Sequence, residues 1–299
     1  NSMVILHAND IYPTNADGVM AFKQNSDLFY LTGVEQEETT LLLMPDAVDS
    51  KEREILFIKE TSEQIAIWEG DLLTKDQARA ATGIERIEWS HCFHSFLHRM
   101  APQVEYLYLA TNEHLRANVV VETRNARFIK ECQLRYPLHN YQRLAPLLHR
   151  LRVIKDREEI KMLQRACDIS EAGFRRLLGF IKHGVGEWEI EAELLHEFVR
   201  CGSRGFAYAP IIGAGKNACV LHYLANDKIC LDGEMILMDV AAEYAGWASD
   251  LTRTVPVNGK FTKRQRDVYN AVLRVFREAN QLLRPGNTPM EYQKQIIEL

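Results

Sequence analysis

Residues 235–253, MILMDVAAEYAGWASDLTR, place Asp239 and Asp250 in apolar, strand-like runs on either side of a short turn. If the chain reverses over Glu243 to Gly246, with Gly246 supplying the positive φ a tight turn needs, the two aspartates are equidistant from the turn. They then face each other across an antiparallel pair, with Cβ atoms about 4.5–5.5 Å apart, where like charges destabilise the sheet. Either one carboxyl stays protonated or a cation lies between them. Met235, Ile236, Leu237, Met238 and Val240 read as a buried strand, where uncompensated charge is costly, and this favours the cation. Two carboxylates are hard oxygen donors, suited to a divalent ion. The competing geometry is a twisted or bulged hairpin that turns one aspartate to water.

The chain has 299 residues, 46% hydrophobic and 26% charged, a composition ordinary for a globular protein of about two domains. A net charge of −5 and a pI of about 6.1 give no basis for nucleic acid or an anionic membrane surface as a partner. No apolar run approaches the roughly 18 residues of a spanning helix. Six cysteines without C-x-x-C spacing read as reduced thiols, and the expected compartment is the cytoplasm. Asn1-Ser2 ahead of Met3 reads as a tag remnant or a cut end. His91, His94 and His98 align on one helical face without a matching acid or cysteine cluster, as a solvated face does.

The first part alternates β-rich runs (Met3 to His7, Leu28 to Thr32, Thr39 to Met44, Glu54 to Ile58, Val104 to Ala110) with helical ones (Thr74 to Ala81, Ser90 to Met100, Val121 to Arg135). This predicts an α/β domain over 1–152. From 153 to 299 the pattern is α+β. A capping box at Asp156 and Glu159 starts a long helix carrying Ile160, Leu163, Cys167, Phe174, Leu177, Leu178 and Ile181, with Gly184 as its stop. A helix over Glu187 to Cys201 follows, then strand-like runs at Pro210 to Ile212 and Ala218 to Tyr223, the aspartate hairpin, and a helix from Thr262 to Leu283. A second capping box at Thr288 and Glu291 launches a helix that reaches Leu299, so the second domain reads as half of a larger one.

Several motifs together resemble the aminopeptidase P (Xaa-Pro aminopeptidase) family: Gly213-Ala214-Gly215-Lys216-Asn217, Leu221-His222-Tyr223, the Asp239 and Asp250 segment, and Thr252 through Phe261. The likeness extends to Lys155 through Ile160, Gln24 through Gly33 and Trp68-Glu69-Gly70, and so covers nearly the whole chain. It implies a creatinase-like N-terminal α/β domain followed by the first half of an α+β "pita-bread" metallopeptidase domain. The implied activity is removal of an N-terminal residue that precedes proline, by a hydroxide held between two divalent metal ions. Manganese is the implied metal, with zinc or cobalt as alternatives, and the partner is a peptide with proline second; a homo-oligomer is also implied.

On the same resemblance Asp239 and Asp250 are metal ligands and His222 is the catalytic histidine that meets the substrate. The remaining ligands, one histidine and two glutamates, would lie past Leu299, so the chain alone is expected to be inactive. Thr252 shares the Asp250 face in the hairpin and is placed to support a ligand carboxylate. Arg253 points to the other face, braced by an acid or solvated. Asp239-Val240-Ala241 stands where the family has Asp-Ala-Gly, putting a methyl at Ala241. Two other readings are a prolidase-type Xaa-Pro dipeptidase and a non-catalytic pita-bread module that binds peptides.

Overall fold

The computed structural model describes residues 1–299, which divide into two compact units, 1–155 and 156–299. Unit one is built on β1 (Ser2–His7), α1 (Ser26–Thr32), β2 (Thr40–Leu43), β3 (Glu54–Ile58), α2 (Glu63–Glu69), α3 (Lys75–Thr82), β4 (Arg86–Trp89), α4 (Phe93–Met100), β5 (Tyr106–Leu109), α5 (Arg124–Arg135), β6 (Asn140–Arg143) and α6 (Ala145–Val153). Its six strands form one mixed sheet in the order β4-β3-β2-β1-β5-β6. Ile55, Leu56, Phe57 and Ile58 are all fully buried although their side chains alternate in direction, because both sheet faces are covered. One face packs Ile5 and Phe57 against Phe93, Leu97 and Phe128; the other packs Leu6 and Leu56 against Leu28, Ala78 and Leu148. Helix α4 buries Phe93, Leu97 and Met100, which leaves His94 and His98 on its exposed side, and His91 is exposed in the 3-10 turn just before it.

Leu28 to Thr32, expected as a strand from its aromatic and β-branched content, is part of helix α1 instead. Asn25 decides this, because its side chain accepts from the N–H groups of Asp27 and Leu28, two donors the helix start would otherwise leave unpaired. Gly33, at φ 67°, closes the helix about two turns later.

Unit two comprises α7 (Arg157–Phe180), α8 (Glu187–Arg200), β7 (Ile211–Ala214), β8 (Met235–Asp239), β9 (Glu243–Tyr244), β10 (Trp247–Ala248), β11 (Thr252–Pro256), α9 (Lys263–Leu282) and α10 (Pro289–Ile297). The Asp156 side chain accepts from Glu159 N at 2.8 Å while Glu159 accepts from Asp156 N at 2.6 Å, so the capping box starts α7. The buried side of α7 differs from the expected apolar set. Ile160, Cys167 and Leu178 are exposed, and Ala166, Ile169, Ser170, Gly173 and Leu177 are buried. Close approach explains the choice of small residues, since a Cβ added at Gly173 would lie 2.6 Å from the Phe198 ring of α8.

Strands β11, β8 and β7 pair antiparallel in that order. Ile236, Met238 and Val240 face the core shared with Ile169, Leu194 and Phe198, whereas Met235, Leu237 and Asp239 are half-buried on the opposite face. Ala218 to Tyr223, expected as a strand, is a 3-10 turn over Gly215–Cys219 followed by a turn at Leu221 and His222. Gly215 at φ 56° swings the chain off β7, and Asn217 returns so closely that a Cβ at Gly213 would meet its carbonyl at 2.9 Å.

Helix α7 is pinned to the hairpin by a buried hydroxyl pair. Ser170 Oγ lies 2.8 Å from Ser249 Oγ and accepts from Ala242 N at 2.7 Å, while Ser249 Oγ donates toward Ala242 C=O at 2.8 Å. Ser170→Ala leaves the buried Ala242 N–H without its acceptor, so chemical denaturation should show a loss of about 1–3 kcal/mol in unfolding free energy.

Candidate metal centre

The hairpin register differs from the expected one. Thr252, not Asp250, lies opposite Asp239, and Tyr244 lies opposite Trp247. The turn residues are Ala245 and Gly246, with φ of 50° and 79°, a two-residue turn of the primed type that matches strand twist. The turn centre therefore sits one residue later than expected, and pairing partners move by two. A shift of two preserves side-chain direction, because the strand period is two. Asp250 is consequently the diagonal neighbour of Asp239 on the same face, at the wider spacing of about 7–8 Å. Asp239 is half-buried at the end of β8, and Asp250 is exposed.

One phenol closes the remaining gap. Tyr208 Oη is 2.5 Å from Asp239 Oδ1 and 3.4 Å from Asp250 Oδ1, so its single proton goes to Asp239 while Asp250 lies at the edge of hydrogen-bond range. Burial, and next the bond to Asp239, hold the Tyr208 phenol well above its ordinary pKa, and it remains a donor at neutral pH. The 205–208 segment runs along 241–243 to deliver this side chain. Ala207 N donates to Ala241 C=O at 2.8 Å, Glu243 N donates to Gly205 C=O at 3.1 Å, and Phe206 bridges to Ala242. Ala241 is fully buried within this pairing.

No lysine, arginine or histidine forms an ion pair with Asp239 or Asp250. Their converging oxygens are hard donors that fit a divalent cation. No group of three or more His, Cys, Asp and Glu is placed to hold a metal, so these two acids fit as part of a ligand set rather than a complete one.

The other expected residues stand further from the pair. Thr252 is exposed and opposite Asp239 in register, yet its hydroxyl bonds neither acid. His222 is exposed at the apex of the turn after β7 and has no hydrogen bond to either aspartate. Arg253 bonds the Thr252 carbonyl at 2.8 Å and lies 5.8 Å over the Phe276 ring, so no acid braces it. Tyr208 went unnoticed in the sequence, since Phe206-Ala207-Tyr208-Ala209-Pro210 reads as a loop and the tyrosine's partner is 31 positions away. Its one signal is an aromatic placed just before a proline and a buried strand.

Residues 161–299 match the description "Metallopeptidase family M24", and residues 1–108 match "Aminopeptidase P, N-terminal domain". An Xaa-Pro aminopeptidase of Escherichia coli K12 is 32% identical over 300 residues, covering 100% of this chain and 68% of the relative. The chain belongs to the Xaa-Pro aminopeptidase family. Proline aminopeptidase P II from Yersinia pestis superposes with a TM-score of 0.86 at 33% identity, covering 99% of this chain and 68% of that one. A zinc-substituted E. coli aminopeptidase P in complex with product superposes with a TM-score of 0.84 at 32% identity, over 99% and 67% of the two chains.

A divalent metal is thus the cofactor of this Xaa-Pro aminopeptidase family member, and Tyr208 donates its one proton to Asp239. If Asp239 holds that metal, Tyr208→Phe removes the proton and should weaken divalent-metal affinity by about 10–100-fold, read by competition with a chelator in protein expressed from the complete gene.

Proposed function

We propose that the chain carries part of the metal site of an aminopeptidase that removes an N-terminal residue preceding proline. The observation that carries this reading is the convergence of Asp239 and Asp250 on one phenol with no cationic side chain between them. In this reading the two aspartates hold a pair of divalent ions, manganese with zinc or cobalt as alternatives. When bound, such ions supply Lewis-acid polarisation of the scissile carbonyl and of a water.

The residues of this chain supply orientation and hydrogen bonding. Asp239 keeps one oxygen on the Tyr208 proton, which restricts its rotation and leaves its second oxygen for a ligand role. Asp250, more exposed, stands at the open side of the pair. His222 donates a hydrogen bond to the carbonyl oxygen of the substrate as negative charge develops there. The exposed turn at Leu221 and His222 suits that task, because an imidazole at a loop apex is free to meet a peptide. Thr252 lies opposite Asp239 in register, a position from which its hydroxyl would support a ligand carboxylate.

Asp250→Ala, in protein expressed from the complete gene and loaded with manganese, should lower hydrolysis of an Xaa-Pro peptide by about a hundredfold or more. Retention of the wild-type rate would overturn the assignment. The 299-residue chain has two carboxylates with no third His, Cys, Asp or Glu grouped with them, so isothermal calorimetry with manganese should show no tight, stoichiometric uptake of two ions. Tight uptake would reveal ligands that the two aspartates do not account for.

A further inference from the structure

Glu187, the first residue of α8, is fully buried, is paired with no cation, and has no part in the chemistry above. Burial of an acid group without a cation is costly, and the N-terminal end of the helix offsets only part of that cost. Hydrogen bonds supply the rest. Oε1 accepts from Ala214 N at 2.8 Å, and Oε2 accepts from Lys228 N at 3.0 Å and from Tyr223 Oη at 2.8 Å. The Glu187 N–H in turn donates to Lys228 C=O at 2.9 Å.

These three donors bracket one loop. Ala214 ends β7, Lys228 lies at the far end of the 215–228 segment, and Tyr223 is inside it, directly after His222. One turn along α8, Glu191 accepts from Asn226 Nδ2 at 2.9 Å, and Asn226 Oδ1 accepts from Ile212 N at 3.0 Å with Asn226 held at φ 46°. The Tyr223 proton has a second acceptor, Asp227 Oδ1 at 3.1 Å, but Glu187 is nearer. Burial, and next the bond to Glu187, push the Tyr223 phenol up to about 12, so it remains a donor at neutral pH. The loop is therefore anchored at both ends and one residue past its apex, while His222 itself stays exposed.

We propose that Glu187 is a positioning residue: through the Tyr223 hydroxyl and the Ala214 and Lys228 amides it fixes the 215–228 loop so that His222 is presented in one orientation to the substrate. The catalytic half of this inference rests on the role given to His222 under Proposed function; the structural half does not.

The test uses protein expressed from the complete gene, loaded with manganese, with Tyr223→Phe as the mild variant and Glu187→Gln as the stronger one. Amide hydrogen exchange followed by mass spectrometry should quicken about tenfold or more across 215–228 in both variants, with the rest of unit two unchanged. For an Xaa-Pro peptide, kcat should fall about tenfold with KM nearly unchanged, and the fall should vanish when the same substitutions are made beside His222→Ala. Unchanged exchange in Tyr223→Phe, or an equal loss of kcat with and without His222, overturns the proposal. If His222→Ala alone keeps full turnover, the peptidase role of His222 fails on its own count, and the exchange measurement still decides whether Glu187 holds the loop.

Discussion

The second unit is organised around a shortage of positive charge. Two acid groups from opposite arms of a hairpin converge on one tyrosine hydroxyl, which has a single proton to offer. At the about 7–8 Å of diagonal neighbours, two unit negative charges repel by about 2 kcal/mol at an effective dielectric of 20, and one hydrogen bond to a charged group returns about 1.5–3 kcal/mol, so the phenol offsets the pair at that spacing. It has no second proton to offer for a closer approach, which a multivalent cation would compensate. The hairpin's primed turn, its register and the 205–208 segment place both acids on one face beside that phenol.

Precision at this site comes from polar pins set in the helix layer. Ser170 of α7 fixes the hairpin at Ala242 and Ser249, immediately before Asp250. Glu187 of α8 fixes the loop that carries His222. Both pins cross from a helix to irregular backbone, where a loop's own hydrogen bonds would be too few to define one conformation. At the α7–α8 contact itself Gly173 leaves room for the Phe198 ring, where an added Cβ would lie 2.6 Å away. The hairpin end and the 215–228 loop are thereby held to the helices beside them.

Much of this was legible in the chain because it is written in local or strictly periodic signals. The Asp156 and Glu159 capping box lies within four residues, and the same-face relation of Asp239 and Asp250 survived an error in register because the shift was an even number. Leu28 to Thr32 misled because β-propensity reports on packing surfaces, whereas the Asn25 cap acts on backbone donors just before them. Ala218 to Tyr223 misled for a related reason: Gly215 turns the backbone, Gly213 makes room for the returning Asn217, and no side chain in the run announces it. Tyr208 and Glu187 were invisible because their partners lie 27 to 42 positions away, and an acid in a helix's first turn or an aromatic in a loop is ordinary until its contact is known.

The most direct test of the central claim is anomalous diffraction at the manganese edge from crystals of the protein expressed from its complete gene and grown with manganese. Anomalous density is expected within bonding distance of both the Asp239 and Asp250 carboxylates, with Tyr208 still bonded to Asp239. Density bound elsewhere, or the two carboxylates turned away from each other, would contradict it.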